Sequence, residues 1–200
     1  MKRLMVVLVL CAAAVWNIPA LQGDFEIENG VLVKYRGSAA EVVVLDRVTI
    51  IGDYAFSKCT GLASITLPVS LTAIGDWAFA DCSGLASITI PDRVAMIGRG
   101  AFVRCTGLTA ITLPAGSTFI NRGLFGGCSG LESITIPENI TEIGPVAFAR
   151  CTSLKSVMLP ENINAAYGAF SRCDSLDESV RTYLRERFGE DVFDNYGESY

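Results

Sequence analysis

Two hundred residues, half of them hydrophobic and 18% charged, make a chain too apolar for global disorder and long enough to bury a substantial core. Histidine is absent, and the net charge of -5 makes nucleic acid a poor partner.

Met1-Lys2-Arg3 followed by the apolar run Leu4 to Val15 has the charged head and short hydrophobic stretch of a secretory signal, too short for a comfortable bilayer span. Residues 1–23 are therefore expected to be removed on export. Small residues at Ala14, Ala20 and Gly23 offer cleavage sites, and the later ones leave the apolar run intact. A lipoprotein anchor through Cys11 is not expected, because Leu10 is larger than the small residue such a signal carries. Loss of Lys2 and Arg3 takes the net charge from -5 to -7, with the excess acid concentrated from Asp174 onward. No transmembrane segment is expected in the mature chain.

Residues 24–41 are read as a cap. Phe25 to Tyr35 alternates apolar and polar residues around Asn29-Gly30, the pair best able to take positive φ in a two-residue turn, which predicts a β-hairpin. It would cover the open end of the first coil. A second turn at Gly37-Ser38 leads into Val42-Val43-Val44.

Over residues 42–173 one pattern recurs, I-G-x-x-A-F-x-x-C-x-x-L-x-x-I-T-(L/I)-P. It places Phe56, Phe79, Phe102, Phe125, Phe148 and Phe170 at intervals of 23 residues with a final 22. A fixed period of that length predicts a solenoid whose coils bury their apolar stripes against one another. In Leu62-x-x-Ile65-x-Leu67 the period-2 placement predicts a short strand. Pro68, Pro91, Pro114, Pro137 and Pro160 end these strands, since proline has no N–H for the ladder. In Ile74-Gly75-x-x-Ala78-Phe79-x-x-Cys82 the apolar residues fall at i, i+4, i+5 and i+8, which predicts one or two turns of helix on the outer arm. The glycine after the isoleucine, at Gly52, Gly75, Gly98 and Gly144, becomes Asn121 in one coil, the exchange expected where positive φ is needed. That coil also has Ser117 and Leu124 where its neighbours carry a large aliphatic residue and an alanine, and is expected to be a weak point.

Cys59, Cys82, Cys105, Cys128, Cys151 and Cys173 recur once per coil. In an exported protein six cysteines raise the alternative of disulfides, but their fixed place suits buried free thiols facing the next turn of chain. Single cysteines a coil apart, without histidine, do not make a zinc site. Beyond them Ser175 and Glu178 have capping-box spacing, and Leu176, Val180, Leu184 and Phe188 recur every fourth residue. This predicts a helix over 174–189 that closes the far end and stops at Gly189. Residues 190–200 are expected to be an acidic, mobile tail.

The repeat unit resembles the BspA-type, treponemal-class leucine-rich repeat of bacterial surface and exported proteins, over roughly residues 42–173. The Asn-Gly-Val-Leu hairpin is similar to the usual lead-in to such arrays. The resemblance implies an α/β repeat fold: a right-handed leucine-rich repeat solenoid with a concave parallel β-sheet, an N-terminal β-hairpin cap and a C-terminal helix cap. It also implies binding of other proteins, including host matrix proteins or neighbouring cells, and it brings no catalytic motif.

Two surfaces are candidates for that binding. Ser64 and Thr66, Ser87 and Thr89, Ala110 and Thr112, Ser133 and Thr135, then Ser156 and Met158 point out of the sheet as a small hydroxylated ladder. Such residues also suit an exposed sheet for its own sake. Tyr54 and Trp77 hold one position in neighbouring coils, followed there by Gly100 and Gly123, and form an aromatic pair of the kind enriched at interfaces. Lys58, Asp81 and Arg104 make a column of alternating charge. Asp53, Asp76, Arg99 and Arg122 make another, in which Arg99 and Arg122, with Arg93, form a basic spot suited to an anionic partner. Without histidine, a phosphate loop or a convergent pair of acids, neither catalysis nor a cofactor or metal is expected. Two readings result. One is an exported non-enzymatic protein-binding module, at the cell surface, secreted or periplasmic. The other is a structural or self-assembling envelope protein, a homo-oligomer without a host ligand.

Overall fold

The computed structural model describes residues 22–194. The expected signal sequence lies outside them except for its last two residues, as does the end of the acidic tail. At the N-terminal end β1 (Phe25–Glu28) and β2 (Val31–Tyr35) pair antiparallel. Asn29 and Gly30 between them have φ of 49° and 82°, the left-handed values that a primed two-residue turn requires. The hairpin is built into the array, because β2 pairs in parallel with β4 (Ile50–Ile51) and is the first rung of a ladder. Tyr35 completes the mimicry. Its amide donates to the Ala55 carbonyl at 2.9 Å, and its ring lies 5.2 Å from that of Phe56, where a preceding repeat would place its phenylalanine.

Each coil has three sides. The first carries the predicted strands: β3 (Glu41–Val43), β5 (Ser64–Thr66), β7 (Ser87–Thr89), β9 (Ala110–Thr112), β11 (Ser133–Thr135) and β13 (Ser156–Met158). Their central residues point inward. Parallel pairing sets equivalent residues side by side, Ser87 beside Ala110 and Thr89 beside Thr112, and joins the strands two by two. The second side, which periodicity did not separate from the third, is a ladder of two-residue strands. After β4 come β6 (Ala73–Ile74), β8 (Met96–Ile97), β10 (Phe119–Ile120), β12 (Glu142–Ile143) and β14 (Asn164–Ala165).

The third side, expected to be helical, is not. Ala55, Ser57 and Cys59 donate to the carbonyls three residues back, making overlapping turns. Tyr54, Phe56 and Lys58 donate instead to Asp76, Ala78 and Ala80 of the next coil. A helix would use every donor within its own chain segment, whereas here alternate donors stitch one coil to the next, so the backbone stays satisfied without helix. The inward residues still fall at helix-like intervals, which is why the pattern is misleading. Phe56, Phe79, Phe102, Phe125, Phe148 and Phe170 are fully buried and stack with centroids 5.1 to 5.8 Å apart.

The glycine after the isoleucine also has a different reason from the expected one, since Gly52, Gly75, Gly98 and Gly144 lack positive φ. Closeness demands glycine there: a Cβ at Gly98 would lie 2.4 Å from the Asp76 nitrogen of the preceding coil. Asn121 breaks this fit. The amides of Gly75 and Gly98 donate to Ile51 and Ile74, but at Asn121 the side-chain Nδ2 donates to the Ile97 carbonyl at 2.6 Å in place of the backbone. The second-side ladder is interrupted at that step, between β8 and β10.

The six repeat cysteines are free. Five are buried, and Cys59, in the first coil, is partly exposed. The Sγ atoms of Cys82, Cys105, Cys128, Cys151 and Cys173 each donate at 3.1 Å to the carbonyl of the preceding coil's phenylalanine.

At the far end α1 (Glu178–Phe188) buries Leu184, with Leu176 beside it, and ends at Gly189 with φ 83°. The capping box is not formed: the N-cap is Asp177, and no side chain caps it. The chain after Gly189 does not leave the array at once. Glu190–Phe193 is a 3-10 turn whose Val192 is buried, and Phe170 donates to the Val192 carbonyl as Phe148 does to Ala169. This turn stands where the third side of a further coil would begin.

Candidate functional site

Two places on the third side of each coil hold a left-handed backbone. The first is Tyr54, Trp77, Gly100, Gly123, Val146 and Gly168; the second is Lys58, Asp81, Arg104, Gly127, Arg150 and Arg172. Glycine suits such a place, while bulky side chains there are uncommon and carry strain. Tyr54 and Trp77 nonetheless sit at φ 55° and 51°. Their rings stack, with centroids 5.2 Å apart and planes 12° from parallel. Tyr54 is 49% exposed and Trp77 is half-buried.

Lys34, from the hairpin, donates from Nζ to the Tyr54 carbonyl at 2.9 Å. Beyond the pair the column has no third ring, because Gly100 follows. A Cβ on Gly100 would lie 2.8 Å from Trp77 Nε1, so the indole covers that backbone directly. The pair borders one hollow, and Trp77 borders a second. The larger, of about 660 Å³, is bordered by Lys34, Lys58, Arg104 and Arg122; the smaller, of about 180 Å³, lies beside Trp77 and is bordered by Arg99, Gly100, Arg122 and Gly123. Among the described residues Asp81 is the one acid lining the larger hollow. Arg104 grips it with two hydrogen bonds, Nε to Oδ1 at 2.6 Å and Nη2 to Oδ2 at 2.8 Å, and the guanidinium holds the Asp81 carboxyl below its ordinary range.

The structure thus brings together Tyr54, Trp77, Lys58, Asp81, Arg104, Arg99 and Arg122, all singled out in the sequence. Arg93, expected with Arg99 and Arg122, lines neither hollow. The acids of the second column have an internal job. Asp53 Oδ1 accepts from the Asp76 amide at 2.8 Å, and Asp76 Oδ1 from the Arg99 amide at 2.7 Å, so each carboxylate fastens the next coil. Lys34 was missed because it lies outside the repeat. Aligning Tyr35 with Phe56 sets Lys34 against the buried Ala55, so the repeat pattern does not point to it.

The hydroxyl ladder is elsewhere. Ser64, Thr66, Ser87, Thr89, Thr112, Ser133 and Thr135 are exposed on the first side, Ser156 is partly exposed, and Met158 is 66% exposed. None of them borders the two hollows beside Trp77. Ladder and aromatic pair belong to different sides of the coil. Among the described residues no group of three or more His, Cys, Asp or Glu is placed to hold a metal ion, and no helix is long and apolar enough to cross a membrane.

No curated protein matches the chain. Among solved structures it is similar to the leucine-rich repeat protein TpLRR of T. pallidum, with a TM-score of 0.70 at 24% identity over 83% of this chain and 94% of that one. It is similar also to a leucine-rich repeat protein from Eubacterium ventriosum (TM-score 0.69, 29% identity, 74% of this chain) and one from Bacteroides ovatus (0.54, 30%, 66%). The chain spans only 41% and 40% of those two proteins. Six copies of the "BspA type Leucine rich repeat region" match over residues 27–129 and 79–198, and the chain therefore belongs to the BspA-type leucine-rich repeat family.

Proposed function

We propose that this protein is an exported, non-enzymatic protein-binding module, released from a leader of residues 1–23, that engages host matrix or bacterial surface proteins through the side bearing Tyr54 and Trp77. One observation carries this reading. Where three of the other four coils place glycine and the fourth a buried valine, Val146, these two coils hold large aromatic rings in a left-handed backbone at a cost of order 1–3 kcal/mol each, beside an open hollow. Exposed aromatics with room beside them are the anchors that dominate interface energies. The hydroxyl ladder, with no large side chain but Met158, would add breadth to a partner that reaches around the coil. Capture of partners from cell-surface and matrix extracts tests the reading, with Trp77→Ala compared against Thr112→Ala. Loss of capture in Trp77→Ala alone is expected, and loss in Thr112→Ala alone would move the site to the ladder.

Self-assembly is favoured by a different observation. Met96 and Phe119, in consecutive coils on the second side, are 58% and 40% exposed. Light scattering separates the readings: a stable oligomer that Met96→Lys dissociates would make that side a homo-oligomer interface.

A further inference from the structure

The chain is acidic as a whole, yet the hollows beside Trp77 are not. Lys34, Lys58 and Arg104 border the larger one, where Asp81 is the one carboxylate among the described residues and Arg104 already holds it. Arg99 borders the smaller one, and no acid among the described residues does. This positive spot on a chain of net charge -5 is a local arrangement rather than a consequence of overall charge. The smaller hollow also adjoins a stacked aromatic pair. Tyr54 stacks on Trp77, the indole lies over Gly100, and a space of about 180 Å³ opens beside Trp77, bordered also by Val103 and Gly123.

We infer that this site takes an extended acidic peptide segment of a partner protein, one aromatic side chain entering the gap beside Trp77 and flanking carboxylates meeting Arg99 and the cations of the larger hollow. The inference rests on the protein-binding reading and adds the partner's chemistry. Aromatic stacking supplies the anchor, and charge supplies the selection, since a basic segment would be repelled. An anionic polysaccharide would satisfy the charges but would not need an aromatic group.

The test uses the full chain carrying Trp16→Phe, which leaves Trp77 as its one tryptophan. Its emission is titrated with three amidated pentapeptides, Asp-Glu-Tyr-Glu-Asp, Asp-Glu-Ala-Glu-Asp and Lys-Lys-Tyr-Lys-Lys, and with heparin. The first peptide is expected to bind and change the emission, and replacing its tyrosine by alanine or its acids by lysine to weaken binding by about tenfold or more. Arg99→Glu, at an exposed position, is expected to weaken it similarly with an unchanged melting temperature. Equal binding of all three peptides, no binding of the first, or heparin binding that ignores Arg99→Glu and outcompetes the peptides overturns the inference. If the peptides fail while an extract still yields a partner that Trp77→Ala loses, the acidic-aromatic class alone falls. A partner indifferent to Trp77 sinks both readings.

Discussion

Trp77 shows how a single residue reports on its surroundings. In a left-handed backbone alanine keeps a Cβ penalty that glycine lacks, whereas in ordinary conformations glycine is the less stable of the two. Trp77→Gly is therefore expected to be more stable than Trp77→Ala by about 1 kcal/mol in urea denaturation. The reverse order would mean that the strain at φ 51° is not felt. The cysteines make a second case. Burial pushes the thiols of Cys128 and Cys173 up to about 12 and raises that of Cys59 as well, though Cys59 alone of the six is partly exposed. Thiol titration should find Cys59 reacting first in the native protein and all six repeat cysteines after denaturation. Fewer than four of the six reactive after denaturation without reductant would point to disulfides instead. Asp81 supplies the pH dependence. The Arg104 hydrogen bonds depress its folded pKa, so the pair's stabilisation is fully present above the ordinary value of 3.8 and is lost as pH falls through the depressed value. Both partners are partly solvated, so Asp81→Asn should lower the melting temperature only slightly at neutral pH, and the difference should vanish in acid.

At the level of elements, both ends of the array work by imitation. Tyr35 takes the place of a phenylalanine before the first coil, and Val192 takes a place on the third side after the last. The C-terminal end is thus more than its helix. Arg181 and Arg185 lie 5.3 and 5.6 Å from the centre of the Phe193 ring, tying α1 to the turn after it. A chain ending at Gly189 loses Val192 and Phe193 and should melt about 5 °C or more below the intact protein. One ending at Asp194 should match it, and deletion from Ser175 onward should do the greatest harm. A chain ending at Gly189 that melts like the intact one would show that the buried turn contributes nothing. The coil of Asn121 is the other informative element. Ser117 and Leu124 are both buried, and the Asn121 amide bridges the interrupted ladder.

For the whole molecule, the repeat period made the solenoid, the buried cysteines and the phenylalanine spine legible, because each depends on which side chains recur, while the Asn29-Gly30 turn made the hairpin legible. Among the things that were not legible, two concern the backbone. The helix-like spacing around Phe79 conceals a run of turns hydrogen-bonded to the next coil, and the recurrent glycine answers to closeness between coils rather than to φ. The pairing of Tyr54 with Trp77 could be read from their equivalent positions. The hollows could not, since they require Lys34 from the cap and Arg122 from a coil two repeats beyond Trp77. The central claim is that this side binds partners through Trp77. It is tested most directly by the affinity of a captured partner for the intact chain, for Trp77→Gly and for Thr112→Lys. A loss of about thirtyfold or more in Trp77→Gly, with Thr112→Lys near the intact value, is the predicted result; normal affinity in Trp77→Gly with binding abolished in Thr112→Lys would contradict it.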